Sequence, residues 1–212
     1  MPLQIFRWTL LTAFVSILTG CALLNPVPHI PSTSESVIPG TSVTRAGQPQ
    51  RLLGDPVRVG DTLPSLNVTD RTMQLRSLDE LRGRTLLISI APSLDTQVCE
   101  RQTHLLGEAS HEELPQSITR VTITRDLPFA QNRFDEHTGF ADVIYLSDYR
   151  RAEFGLGTGL LLEDLRLLAR AVMVVDAKGT IRYLQIVPEV AHLPDMAKAF
   201  AVAREIAAEE AR

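Results

Sequence analysis

The sequence predicts an α/β domain, a mixed sheet flanked by helices, with an N-terminal hairpin extension. Three observations lead there. Strand-like and helix-like runs alternate from residue 84 to residue 155. One of those runs, with Leu86, Leu87, Ile88 and Ile90, is apolar on both faces, as a strand covered on both sides requires. The chain then closes with two strands around a turn and a striped helix, which adds an antiparallel pair to the sheet.

The elements follow in order. Leu66-Asn67-Val68 and Met73-Gln74-Leu75 flank Asp70-Arg71 and form the hairpin. Ser77 stands three residues before Glu80, a capping box opening a short helix that Gly83 ends. Arg84 to Ala91 is the central strand, and Pro92 opens a turn. A helix runs from Thr96 to Ser110, a strand from Ser117 to Thr124 and a short helix from Pro128 to Phe134. Val143 to Leu146 is a strand and Arg150 to Gly155 a short helix. Ala171 to Asp176 and Ile181 to Val187 pair around Ala177-Lys178-Gly179-Thr180. Leu193 to Glu209 carries apolar residues at 193, 196, 200, 203 and 206, a helical stripe.

Composition excludes several classes. The chain has 212 residues, 44% hydrophobic and 22% charged, enough for a packed core. Net charge is −4 and the basic residues are scattered, so no nucleic-acid partner is expected. Two cysteines, Cys21 and Cys99, do not make a disulfide scaffold. His104 and His111, seven apart, complete no metal site, and neither a metal nor another cofactor is expected. Gly155, Gly157 and Gly159 lack the strand-to-helix setting of a phosphate loop and read as a flexible connection.

The N-terminus reads as an address. Arg7 precedes an apolar run from Trp8 to Leu18, short for a membrane span. The run ends in Leu18-Thr19-Gly20-Cys21, which resembles the lipobox of bacterial lipoproteins. That resemblance implies a signal peptide over 1–20, lipidation of Cys21, and a lipid bilayer as partner. It places the protein in the bacterial cell envelope. With Ala22 after the cysteine, the expected site in a Gram-negative cell is the outer membrane, facing the periplasm. Residues 21–56, punctuated by Pro26, Pro28, Pro31, Pro39, Pro49 and Pro56, are expected to be a Pro/Ser/Thr-rich tether. The folded domain is expected over 57–212.

Cys99 carries the chemistry. It follows an apolar strand, across a loop, at the start of a helix, where α/β sheets place their ligands. The first helical turn offers unpaired N–H groups and the positive dipole end, which stabilise a thiolate. Thr96, three residues earlier, brings a hydroxyl to the same spot, and Pro92 closes one side without adding a donor. Arg170 opens an apolar strand, where a cation without a partner is costly.

Pro92-x-x-x-Thr96-x-x-Cys99 resembles the active-site motif of the peroxiredoxins, and Pro92-Ser93-Leu94-Asp95-Thr96-Gln97-Val98-Cys99 is similar to its thiol peroxidase subgroup. Asp126-Leu127-Pro128-Phe129-Ala130-Gln131, Ser147 with Arg150, Ala152, Glu153 and Phe154, and Leu168-Ala169-Arg170-Ala171-Val172 resemble further blocks of that subgroup, in order. The resemblance spans 57–207. It implies a thioredoxin-like fold and a peroxidase for hydrogen peroxide or small organic hydroperoxides. Cys99 would be the nucleophile, Thr96 and Arg170 the polar partners of thiolate and peroxide, Pro92 the shield. It also implies a homodimer.

One departure matters. In the subgroup a second cysteine follows the Arg-Phe pair, and here that position is Asp135. With Cys21 lipidated, no internal disulfide forms. The expected cycle uses Cys99 alone and an external thiol reductant, either a thioredoxin-like protein or a small thiol. The alternative is a redox sensor or a non-catalytic binding scaffold derived from a thiol peroxidase.

Overall fold

A computed structural model describes residues 29–212. The expected signal peptide over 1–20 and the expected lipid site Cys21 lie outside the described residues. Among the described residues no helix is long and apolar enough to cross a membrane.

The strands and helices are β1 (Ser42–Arg45), β2 (Gln48–Leu53), β3 (Asn67–Asp70), β4 (Leu75–Ser77), β5 (Thr85–Ile90), α1 (Gln97–Gly107), β6 (Ile118–Thr124), α2 (Pro128–Thr138), β7 (Val143–Ser147), α3 (Glu153–Thr158), β8 (Leu161–Leu162), β9 (Ala171–Val175), β10 (Ile181–Ile186) and α4 (Met196–Glu210). Seven strands form the main sheet in the order β10-β9-β5-β6-β7-β3-β4. β5, β6 and β7 run parallel, while β9, β10, β3 and β4 pair antiparallel. The expected mixed sheet is thus present, and β5 lies in its interior, between β9 and β6.

The side-chain period of a strand divides the core. Leu86, Ile88 and Ile90 of β5 and Met173 and Val175 of β9 pack on one face, with Phe154 of α3 and Leu78 of the Ser77-capped turn. Leu87, Val172 and Val174 pack on the other, with Leu106 of α1 and Ala199, Phe200, Ala203 and Ile206 of α4. Every residue of β5 is buried, which explains its unbroken apolar run.

Three expectations need correction. The tether does not hold from residue 29 onward, because that segment is a strap laid on the domain. Its backbone bonds to the domain: Val37 N–H to Ile186 O at 3.0 Å, Thr44 N–H to Pro188 O at 2.6 Å and Val57 N–H to Thr158 O at 3.3 Å. Val43, Leu52 and Val57 are buried, and β2 pairs with β8. Prolines that forbid a helix are tolerated in such extended pieces, so punctuation is a poor sign of disorder here.

The glycines at 155, 157 and 159 are not a flexible connection. They shape α3, which ends on Gly159 at φ 69°. A Cβ on Gly159 would sit 2.6 Å from Pro56 Cα, and one on Gly54 would sit 2.0 Å from Leu156 O. The strap therefore lies directly against α3. Finally, α1 ends at Gly107, so His111 falls in the following turn and does not share a helix with His104.

Candidate active site

The C-terminal end of β5 leads into the loop 91–96, and α1 begins on the far side. The loop is held from β6 and the turn after it: Ala91 N–H donates to Ile123 O at 3.1 Å, and Leu94 N–H donates to Asp126 Oδ2 at 2.7 Å. Asp126 is fixed in turn, since its carbonyl accepts from the Ser147 hydroxyl. Pro92 is buried at the start of this loop.

Thr96 occupies the N-cap position of α1 with extended backbone, φ −126° and ψ 140°. A threonine there ordinarily accepts from an N–H of the first turn. Here it makes no such bond, and its Oγ1 lies 2.9 Å from Cys99 Sγ and 3.2 Å from Ser93 O. One hydroxyl proton cannot serve both contacts fully. With a thiol, Thr96 can donate to Ser93 O and accept from S–H. With a thiolate, it can turn and donate to sulfur.

Cys99 is the third residue of α1 and has no exposed surface. The helix's first backbone bond inside the turn is Glu100 N–H to Thr96 O at 2.9 Å, so the N–H groups ahead of it point their positive ends toward the sulfur's end of the helix.

Arg170 immediately precedes β9, whose Ala171 lies opposite Ile90 at the end of β5. That register carries the guanidinium to the loop. Arg170 is 2% exposed and all three nitrogens are engaged. Nε donates to Val190 O at 2.8 Å, Nη1 to Gln102 Oε1 at 2.7 Å and Nη2 to Cys99 Sγ at 3.2 Å. Among the described residues no carboxylate lies within ion-pair distance of Arg170. A buried guanidinium without an anion is costly, and the Cys99 sulfur is the group in contact with it that a negative charge could occupy. The arrangement can therefore hold a thiolate, and its donors can also reach an oxygen atom brought to that sulfur.

Cys99, Thr96 and Arg170 thus converge, with Pro92 at the base of the same loop. Sequence reasoning missed Gln102, Asp126 and the Val190 carbonyl. Gln102 had a signal. It lies with Cys99, Thr103 and Leu106 on the buried stripe of α1, where an amide needs partners. Its Nε2 finds Ser89 Oγ at 2.9 Å and Ala171 O at 3.1 Å. A carbonyl such as that of Val190 leaves no mark in the side-chain sequence.

Asp135 lies on α2, next to α1, where His104 stands 6.1 Å edge-on to Phe134. Its carboxylate pairs with Arg71 on the β3–β4 turn, and that guanidinium sits 5.7 Å over the Tyr145 ring. His104 and His111 are apart, contacting Glu108 and Asp142 respectively. Among the described residues no cluster of three potential metal ligands occurs.

A buried thiol held by a threonine hydroxyl and a guanidinium, beyond the end of a central parallel strand, defines a thiol-dependent oxidoreductase on a thioredoxin-like sheet. Comparison with known proteins narrows the class. The Redoxin family model matches residues 58–201, so the chain belongs to that family. It is 42% identical over 167 residues to a thiol peroxidase of Staphylococcus aureus, covering 78% of this chain and 99% of that protein. It is 39% identical over 163 residues to a thiol peroxidase of Halalkalibacterium halodurans, covering 77% and 97%. A peroxiredoxin-like protein from Aquifex aeolicus has the same fold, with a TM-score of 0.73 and 30% identity over 81% of this chain and 99% of its own. The protein is a thiol-dependent peroxidase of the peroxiredoxin type.

Proposed function

We propose that Cys99 reduces hydrogen peroxide or small organic hydroperoxides alone, at a membrane-tethered site, with an external thiol as reductant. The observation that carries this reading is the buried Arg170, whose Nη2 lies 3.2 Å from the sulfur.

The Cys99 thiolate attacks one peroxide oxygen, and the O–O bond breaks as the S–O bond forms. Cys99 becomes sulfenic acid, oxidised by two electrons, and the departing oxygen takes a proton to leave as water or an alcohol. Arg170 and Thr96 hold the thiolate beforehand and donate to the peroxide oxygens as charge moves onto the leaving one. An external thiol then attacks the sulfenic sulfur, releasing water and leaving a mixed disulfide. A second thiol attacks that disulfide and restores Cys99. Pro92, buried and without an N–H, keeps one side of the site free of a competing donor.

Two features support the one-cysteine cycle. Cys99 is the free cysteine among the described residues, and Asp135 is committed to Arg71. The Leu-Thr-Gly-Cys21 segment supports lipid anchoring in the cell envelope. Turnover tests the reading. The Cys21→Ser protein consumes peroxide continuously with a small dithiol or a thioredoxin-like protein present, and stops after one equivalent without it. Continued turnover without added thiol would overturn the external-reductant cycle. Loss of fatty-acid labelling in Cys21→Ser tests the anchor, and undiminished labelling would remove it.

A further inference from the structure

The strap bonds to the segment 185–193, and the same segment holds Arg170. The contact is made at the β1–β2 turn. Both turn residues have positive φ, Ala46 at 50° and Gly47 at 74°, as a two-residue hairpin loop between Arg45 and Gln48 requires. Alanine adopts that conformation only at a cost. Both of their N–H groups point at one carboxylate: Ala46 N–H donates to Glu189 Oε1 and Gly47 N–H to Glu189 Oε2, each at 3.2 Å. The Thr44 hydroxyl lies 2.9 Å from Oε2 and 3.1 Å from Pro188 O and shares its one proton between them. Glu189 thus fills a small nest of backbone donors at the hairpin tip.

The next residue is Val190, and its peptide groups are held from both sides. Its N–H donates to Thr44 O at 2.9 Å, and its carbonyl accepts from Arg170 Nε at 2.8 Å. The path from hairpin tip to sulfur is therefore short: Ala46 and Gly47 N–H, the Glu189 carboxylate, the Val190 carbonyl, the Arg170 guanidinium, Cys99 Sγ. A guanidinium is a rigid plane. Fixing Nε at Val190 O and Nη1 at Gln102 Oε1 sets the direction in which Nη2 points.

We propose that Glu189 is a positioning residue for peroxide reduction, clamping the N-terminal hairpin to the segment that aims Arg170 at Cys99. The strap is then part of the catalytic support. This inference rests on Arg170 acting at Cys99. Glu189 touches neither sulfur nor peroxide and acts through the Val190 carbonyl. Its effect exists only while Arg170 is there to be aimed.

A double-mutant cycle tests this. Single-turnover oxidation by hydrogen peroxide is measured in the Cys21→Ser protein, alone and with Glu189→Ala, Arg170→Ala or both. Glu189→Ala is expected to slow oxidation about tenfold, in keeping with the cost of a small misplacement of a catalytic group. In the Arg170→Ala background the same change is expected to have less than a ~2-fold effect. Glu189→Gln, which keeps the shape but loses an acceptor oxygen, falls between. Glu163→Gln cuts the Arg51–Glu163 ion pair elsewhere on the same hairpin and keeps the parent rate, which separates aiming from general loosening.

An unchanged rate in Glu189→Ala, or an equal loss in both backgrounds, overturns the proposal. If Glu189→Ala does not fold, Glu189→Gln and Thr44→Val are put through the same cycle with the same two criteria. A parent protein oxidised no faster than a free thiol would defeat the peroxidase reading itself. A fast parent with an equally fast Glu189→Ala defeats only the positioning role.

Discussion

Helices α1 and α2 meet where His104 stands edge-on to Phe134, and they carry the two positions at which the resembling subgroup places its cysteines. The two positions differ. On α1, Cys99 is buried among groups that turn toward it: Thr96 gives up its capping bond, and Arg170, with no carboxylate in ion-pair contact among the described residues, reaches it from the start of β9. On α2, the position where the resembling subgroup places its second thiol is Asp135, and its charge is spent on Arg71. The first site is built around sulfur, the second around an ion pair that ties a helix to a hairpin. In the proposed cycle, oxidation of Cys99 is prepared within the chain and its reduction is supplied by an external thiol.

The sharpest way to break this comparison is to exchange the demands on the two positions. Cys99→Ser removes the nucleophile, and peroxide consumption is expected to fall on the order of 10⁴-fold or more in a coupled assay. Arg170→Ala leaves the thiol but removes the buried cation, with an expected loss of about 10²-fold in the rate of Cys99 oxidation. Thr96→Val keeps the shape and loses the hydroxyl, for about a tenfold loss, while Thr96→Ser keeps most of the rate.

Asp135→Ala is expected to leave the oxidation rate unchanged and to cost about 1 kcal/mol or less in chemical denaturation, the scale of a partly exposed ion pair. A large rate loss there would erase the contrast between the two helices.

The smallest expected effect is a pH dependence at the strap. Burial alone would raise the Glu189 carboxyl. Hydrogen bonds from the Gly47 N–H, the Thr44 hydroxyl and the Ala191 and Ala46 N–H groups outweigh it and hold the carboxyl below its ordinary value. A carboxyl depressed by folding stabilises the fold above its unfolded value, and that contribution fades as pH falls through the folded one. The melting-temperature advantage over Glu189→Gln should therefore be full at neutral pH and shrink from about pH 4.5 downward.

Much of this was legible in the residues. A fully buried central strand has to be apolar on both faces, so β5 announces itself. A capping pair such as Ser77 and Glu80 works within one turn, and both of its bonds are present. The triplet Cys99, Thr96 and Arg170 was legible because its chemistry needs side chains.

The strap was not legible, because its hold on the domain runs through backbone groups and single buried residues such as Val43 and Leu52. Pro31, Pro39, Pro49 and Pro56 hide that in the sequence. β8 is two residues long and makes no pattern. No motif or period in the sequence marks Glu189. Its role depends on a turn about 140 residues earlier in the chain, Ala46 N–H meeting it across a separation of 143 residues.

The most direct test of the central claim is one stopped-flow experiment on the Cys21→Ser protein, mixed with a single equivalent of hydrogen peroxide and quenched for mass analysis. Oxidation orders of magnitude faster than for a free thiol is expected, with each chain gaining one oxygen atom at Cys99 and remaining monomeric in disulfide terms. Oxidation at the pace of a free thiol would contradict that claim, and so would a fast reaction whose oxygen sits on any residue other than Cys99.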